Sequence, residues 1–338
     1  MSNAFKKQYE VVEYLPKEEY LQRLFSICAN MFREPVDTPK KSDDNKVNKP
    51  KEWDDPKVAA LEIKDKTRRS GLPAYSHSYR VAKYLYDLKI YGLGTEYIIA
   101  ALFHDVLEDT IFTKKSLEQI LRKVKEKYHD FPDGQDCNIG VIIDAVARLT
   151  KDIEFPKCYE VFRLETENGD LFSIENFWGE SKILQHKKKG ELIEENGNPK
   201  PKLINKDKDK NKDMEYLESY LNPSEIQKCE DYIKRMNAYK EAMEKYIKKI
   251  CESPIAMVVK IADRIDNLKH IAPNDSAEWI EKYILETIWI SSIFDELRKR
   301  NNIAKTLIDQ LDKDLQNALK LATEQMKKRQ QQSTGICL

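Results

Sequence analysis

The stretch that decides the fold is Ile98–Thr110, "IIAALFHDVLEDT". An apolar run of Ile98, Ile99, Ala101, Leu102 and Phe103 leads directly into His104, Asp105, Glu108 and Asp109. The apolar spacing predicts a helix from Ile98 to Glu108. Residues four apart share a helix face, so His104 falls below Glu108 and Asp105 below Asp109. One helix edge then presents an imidazole and three carboxylates. Adjacent carboxylates repel unless positive charge offsets them. A divalent cation is the economical offset, and a mixed nitrogen and oxygen donor set suits Mn²⁺, Fe²⁺ or Zn²⁺.

Two ligands do not hold a metal, so others should lie elsewhere. "RRSGLPAYSHSYRVAKYL" (68–85) supplies His77 at the start of a helix whose apolar stripe is Val81 and Leu85, continued by Leu88. A lone histidine in that position is more often structural. "VVKIADRIDNLKH" (258–270) supplies Asp263. There Val258, Ile261, Ala262 and Ile265 form the buried stripe, while Asp263, Asn267 and His270 share a different face. Asp263 could equally pair with Arg264 or a lysine.

Composition sets wider bounds. The chain has 338 residues, 41% hydrophobic and 34% charged, with only 10 glycines. Scarce glycine and abundant Lys, Glu, Leu and Ile favour helix over strand. Formal net charge is +0, which gives no argument for nucleic acid or an anionic membrane as partner. No apolar run reaches the ~18 residues that span a bilayer. The first residues, "MSNAFKKQYEVVEYL", lack a signal-peptide core, and the six cysteines include no CxxC pair. Reduced thiols and a cytoplasmic location are expected.

Along the chain, residues 1–56 read as an N-terminal helix (5–33) followed by a polar, proline-punctuated linker. Residues 57–151 read as helix after helix, including Ile139–Leu149, with Ser116-x-x-Gln119 as a capping box. Residues 152–250 read as an insertion. It is irregular to 222, with a lysine-rich charged run at 186–214, and Ser224-x-x-Gln227 then caps a helix to about Cys251. Helices over 254–273, 277–300 and 303–330 complete a second part of the domain, 251–330. The expected class is all-α: a helical bundle with an inserted, partly irregular subdomain. Whether the C-terminal helices support an oligomer is not legible in the sequence.

Taken together, "RRSGLPAYSH" (68–77), "HDVLED" (104–109) and "ADRIDN" (262–267) resemble the HD superfamily of phosphohydrolases. The finer resemblance is to the hydrolase domain of RelA/SpoT-type alarmone enzymes and their small stand-alone hydrolases. That family shows Arg-x-Ser-Gly-x-Pro before its first His, then HDxxED, then ADRxxN. The resemblance spans about 68–151 and 255–271. It implies an HD-domain bundle in which His77, His104, Asp105 and Asp263 hold one Mn²⁺. Glu108 and Asp109 would handle proton transfer beside the reacting water. Arg68 and Ser70 would face the substrate, and Asn267 would contact the nucleotide. The implied reaction removes the 3′-pyrophosphate of ppGpp or pppGpp, returning GDP or GTP.

The sequence departs from that pattern at Ser78, where the family carries Pro, and at Asp266, where it carries His. Ala145, Ala147 and Arg148 replace Gly, Thr and Lys, and the gap from Asp105 to Asp263 is far wider. Two other readings stay open. One is an HD-type phosphohydrolase of another nucleotide: a nucleoside monophosphate, a dNTP, a cyclic dinucleotide or NADPH. The other is a catalytically silent nucleotide-binding module.

Overall fold

The computed structural model describes residues 19–35, 63–65, 73–127, 137–151, 222–272, 275–300 and 303–335, together with strand segments between 162 and 203. Arg68 and Ser70 lie outside the described residues. The chain divides into two compact units.

The first unit comprises Met1–Lys151, Lys249–Asp275 and Ile290–Glu324. Its described elements begin with α1 (Glu19–Met31) and the short antiparallel pair β1 (Arg33–Pro35) and β2 (Ile63–Asp65). Then come α2 (Tyr75–Asp87), α3 (Thr95–Phe103), α4 (Val106–Asp109), α5 (Lys114–Lys127) and α6 (Ile139–Leu149). A 3₁₀ turn after α2 closes at Gly92, whose φ of 88° is the left-handed conformation that favours glycine.

α3 is apolar from Ile98 to Phe103, and every residue of that run is buried. It packs against α1, α2 and α6. The helix expected to continue to Glu108 instead stops at Phe103. His104 and Asp105 form a turn, and α4 restarts at Val106. The two capping boxes also sit elsewhere than expected. Thr113 and Ser116 cap α5 reciprocally, each hydroxyl accepting the other's backbone N–H, so the helix opens before Ser116.

α8 (Pro254–Lys269) crosses α2, α3 and α6. Ser253 caps it by accepting the Ala256 N–H at 3.3 Å, and Pro254 occupies the first turn, where its missing N–H costs nothing. Every residue from Ile255 to Asp266 is buried. A helix buried on all sides is ordinarily apolar throughout. This one buries Lys260, Asp263, Arg264 and Asp266 as well, and burying charge costs several kcal/mol, on the order of the stability of the fold, unless it is paired. The region predicted as one helix over 277–300 is two: α9 (Ala277–Ile290) and α10 (Ile293–Arg298). α11 (Lys305–Gly335) contributes Leu307, Leu311, Leu315, Ala318 and Ala322 to the core of this unit.

The second unit comprises Asp152–Lys248, Ser276–Trp289 and Gln325–Leu338. Its first part, read from sequence as irregular, contains antiparallel strands. β3 (Phe162–Glu165), β4 (Leu171–Phe177) and β5 (Glu180–Lys188) form a meander extended by β6 (Glu191–Leu192). β7 (Glu194–Glu195) pairs with β8 (Asn198–Pro199), and β9 (Lys202–Leu203) pairs with β5. The β4–β5 register runs from Phe177↔Glu180 through Ile174↔Ile183, with a bulge at Leu171/Phe172. Lysine and glutamate at neighbouring positions obscure the period-two pattern that marks a strand.

α7 (Pro223–Cys251) follows. Its cap is Asn222 rather than Ser224: Asn222 Oδ1 accepts the Glu225 N–H at 3.0 Å, and Glu225 Oε2 accepts the Asn222 N–H at 2.9 Å. Cys229, Tyr232, Met236, Tyr239, Met243 and Tyr246 are buried at alternating spacings of three and four, the period of a helix seam. Tyr239 donates to Glu286 Oε1 at 2.9 Å and stacks on Trp289, fixing α7 against α9.

Candidate metal centre

The first unit brings four of the predicted residues to one place. His77 lies in the first turn of α2 and is fully buried. His104 and Asp105 occupy the turn between α3 and α4, and Asp263 comes from the middle of α8. The two imidazole rings meet edge to face with centroids 5.1 Å apart. His77 Nε2 lies 2.9 Å from Asp263 Oδ1 and 3.8 Å from Asp105 Oδ2. His104 Nε2 lies 3.1 Å from Asp105 Oδ1 and 3.8 Å from Asp263 Oδ1.

The other ring nitrogens are already committed. His104 Nδ1 lies 2.7 Å from the Ala101 carbonyl, which can only accept, so Nδ1 carries the hydrogen. His77 Nδ1 lies 2.6 Å from Asp266 Oδ2. Both rings therefore turn Nε2 toward the carboxylates, the orientation of metal-ligating histidines, whose other N–H is held by a carbonyl or carboxylate. His104 Nε2 is buried and faces Asp105 Oδ1 at 3.1 Å without a well-aligned hydrogen bond.

These residues fit a divalent ion. Ligand atoms each about 2.1 Å from one ion stand roughly 3–4 Å from one another. The four nitrogen–oxygen separations, 2.9, 3.1, 3.8 and 3.8 Å, fall in that range. His77, His104 and Asp105 together offer ligand atoms within 4.8 Å of one another. Asp263 joins them through its contacts with both rings.

The electrostatics of the site are those of concentrated negative charge. Burial works against the charged form of His104, but Asp105 and Asp263 outweigh it and push its pKa up to about 10. Burial also opposes ionisation of Asp105 and Asp263. For Asp105 the two imidazoles, and for Asp263 Lys260 and the imidazoles, hold the carboxyl below the usual range. Lys260, itself buried, donates to Asp263 Oδ2 at 2.8 Å, and Asn267 donates to Asp263 Oδ1 at 2.6 Å.

Glu108 and Asp109 sit one turn beyond, on α4. Glu108 is exposed and accepts the Lys151 N–H at 3.4 Å, while Asp109 is half-buried. Partial shielding raises the Glu108 carboxyl. Lys151 opposes the rise, and the charge of Asp105 adds to it.

Three residues that the sequence reading did not assign complete the arrangement: Lys260, Asp266 and Arg80. Arg80 closes a fork on Asp266, with Nε to Oδ1 at 2.8 Å and the terminal nitrogen to Oδ2 at 2.9 Å. Their signal was present as spacing. Arg80 falls three residues after His77, and Lys260 and Asp266 fall three either side of Asp263, which puts each on a shared helix face.

No protein-family model matches the sequence, and no curated protein does. Among solved structures, the chain is similar to a metazoan ortholog of SpoT that hydrolyses ppGpp and plays a role in starvation responses. That similarity covers 88% of this chain and 95% of the other, at 13% identity and a TM-score of 0.38. A likeness that distant carries no weight for fold or activity.

Proposed function

We propose that the chain is a metal-dependent phosphohydrolase of the HD type that removes the 3′-pyrophosphate of (p)ppGpp. The observation that supports this reading is the convergence of two buried Nε2 atoms, each with its Nδ1 committed elsewhere, on Asp105 and Asp263. Hydrolysis would break the bond between the 3′ oxygen and phosphorus, with water supplying the new P–O bond. The products are GDP or GTP and pyrophosphate.

His77, His104, Asp105 and Asp263 would hold the ion, with Mn²⁺ expected. When bound, a divalent ion supplies charge that polarises a phosphoryl oxygen and makes water acidic enough to react near neutral pH. Lys260 balances one oxygen of Asp263. Glu108, with its carboxyl raised by partial burial and its side chain open to solvent, would take a proton from the attacking water and pass it outward. Asp109 lies beside it on the same short helix. Arg68 would clamp phosphate, its planar fork matching two oxygens at once, with Ser70 close by in the chain.

A second reading has a specific observation in its favour. Asn267, expected to meet the nucleotide, gives its amide to Asp263, and Asp266 replaces the family's histidine. Both favour an HD-type enzyme acting on a different phosphorylated nucleotide.

The test is turnover of ppGpp by purified protein with Mn²⁺, with product analysis and Asp105→Ala as control. GDP plus pyrophosphate, lost in the variant, is the expected result. Metal binding without ppGpp turnover would overturn the alarmone assignment and direct the assay to nucleoside monophosphates, dNTPs, cyclic dinucleotides and NADPH.

A further inference from the structure

We infer that Asp266, clamped by Arg80, is a positioning residue that aims His77 at the metal. The inference rests on the metal-centre reading above. Asp266 is buried, and each contact it makes serves the orientation of its carboxylate. Oδ2 takes the His77 Nδ1 hydrogen at 2.6 Å. Arg80 binds both oxygens through its fork, which fixes the carboxylate plane as a single hydrogen bond would not. His270 approaches Oδ1 at 3.0 Å from the end of α8. His77 and Arg80 are i, i+3 on α2, so one helix face carries both the ring and the cation that holds the ring's partner.

The two histidines differ in this respect. His104 gives its Nδ1 hydrogen to a neutral acceptor, the Ala101 carbonyl, whereas His77 gives its own to a carboxylate. A charged acceptor both selects the tautomer with Nε2 free and makes that nitrogen a stronger donor to a cation. A buried carboxylate is costly by itself, and Arg80 offsets the cost while remaining only partly exposed. A histidine at 266 would meet His77 through a ring nitrogen and leave Arg80 facing an imidazole. One of the positions at which this chain departs from the motifs is thus the one that holds its first histidine.

Calorimetric titration of Mn²⁺ into metal-free wild type, Asp266→Asn and Arg80→Lys tests this, with folding checked by circular dichroism and melting. Asp266→Asn should bind about 10–100-fold more weakly. Arg80→Lys keeps the charge but loses the fork, and should weaken binding by a smaller factor. Excess Mn²⁺ should restore occupancy in both, which a general loss of structure would not allow. In proton spectra of the Zn²⁺-loaded protein, the His77 Nδ1 hydrogen, bonded to a carboxylate, should lie further downfield in wild type than in Asp266→Asn. Folded Asp266→Asn with wild-type affinity would overturn the positioning role and leave the metal centre standing. If Asp266→Asn does not fold, unchanged affinity in Arg80→Lys overturns it instead. Failure of folded wild type to bind Mn²⁺ at all would overturn the metal centre and this inference with it.

Discussion

Loading Mn²⁺ into the metal-free protein should release protons, and His104 sets the scale. Its pKa stands at about 10 because Asp105 and Asp263 hold the imidazolium against the cost of burial. A metal ligand must be the neutral imidazole, so His104 has to lose its proton on binding. At pH 7.5 that deprotonation lies about 2.5 units uphill, or about 3 kcal/mol. Apparent affinity should therefore rise about tenfold per pH unit between pH 7 and 8.5. Asp105 and Asp263 add nothing to the proton count, since their carboxyls are held below the usual range and are already ionised. Calorimetry at pH 7.5 in buffers of different ionisation enthalpy measures the release directly, as the slope of observed enthalpy. A slope near one proton or above is expected from His104. A slope of zero, with affinity flat across pH 7 to 8.5, would refute the reasoning.

Other outcomes follow from the same contacts. Asp263→Ala strips a carboxylate from both rings and removes the partner of buried Lys260, so denaturant unfolding should show a loss of about 3–5 kcal/mol. Asp266 is held below the usual carboxylate range by His270, His77 and Arg80, against burial. Its stabilisation is complete above the unfolded value of about 3.9 and fades as pH falls toward the depressed folded value. Urea midpoints of metal-free wild type should drop through that window, and Asp266→Asn should drop less steeply from a lower plateau at neutral pH. Leu311→Ala empties a fully buried position on α11 and should cost about 2–5 kcal/mol, read as a lower urea midpoint. Ser78 is fully buried and its hydroxyl makes no hydrogen bond, so Ser78→Ala should leave the melting temperature unchanged or raise it.

The helices of the bundle were legible because their period is written in residues that have nowhere else to go. Ile139–Leu149 agrees end to end with its expected span, and Ser253–Pro254 announces α8 through cap and first turn. The turn at His104–Asp105 was not legible, since Val106 continues the apolar period and nothing local stops the helix. The strands of the second unit were hidden for the opposite reason: "ESKILQHKK" over β5 is charged at both ends and carries only a short apolar centre. At the site, His104 and Asp105 stood out against their apolar neighbours, whereas His77 and Asp263 could be named only through the motifs that resemble the HD superfamily. Lys260, Arg80 and Asp266 share helix faces with them, but a charged residue on a helix is ordinarily solvated, so spacing alone gave them no role. Only the three-dimensional fact that α8 is buried on all sides turns their charge into a constraint.

That constraint makes the two halves of the centre unequal. His77 is fixed from both nitrogens, by Asp266 and by Asp263, on two long helices that pack directly against each other. His104 and Asp105 sit on a turn of two residues between helices, and His104 is anchored only through Nδ1 to the carbonyl of Ala101, three residues back. Its Nε2 faces Asp105 Oδ1 at 3.1 Å without a well-aligned hydrogen bond. The α2–α8 half is therefore held by protein contacts on both sides of its ring, whereas the α3–α4 turn holds its imidazole from Nδ1. Under the proposed function, a bound cation would order the looser half and balance the charge of the other. Glu108 begins three residues beyond Asp105 and inherits its placement from that turn. The carboxylate proposed to move the proton is thus placed by the turn that a bound ion would order most.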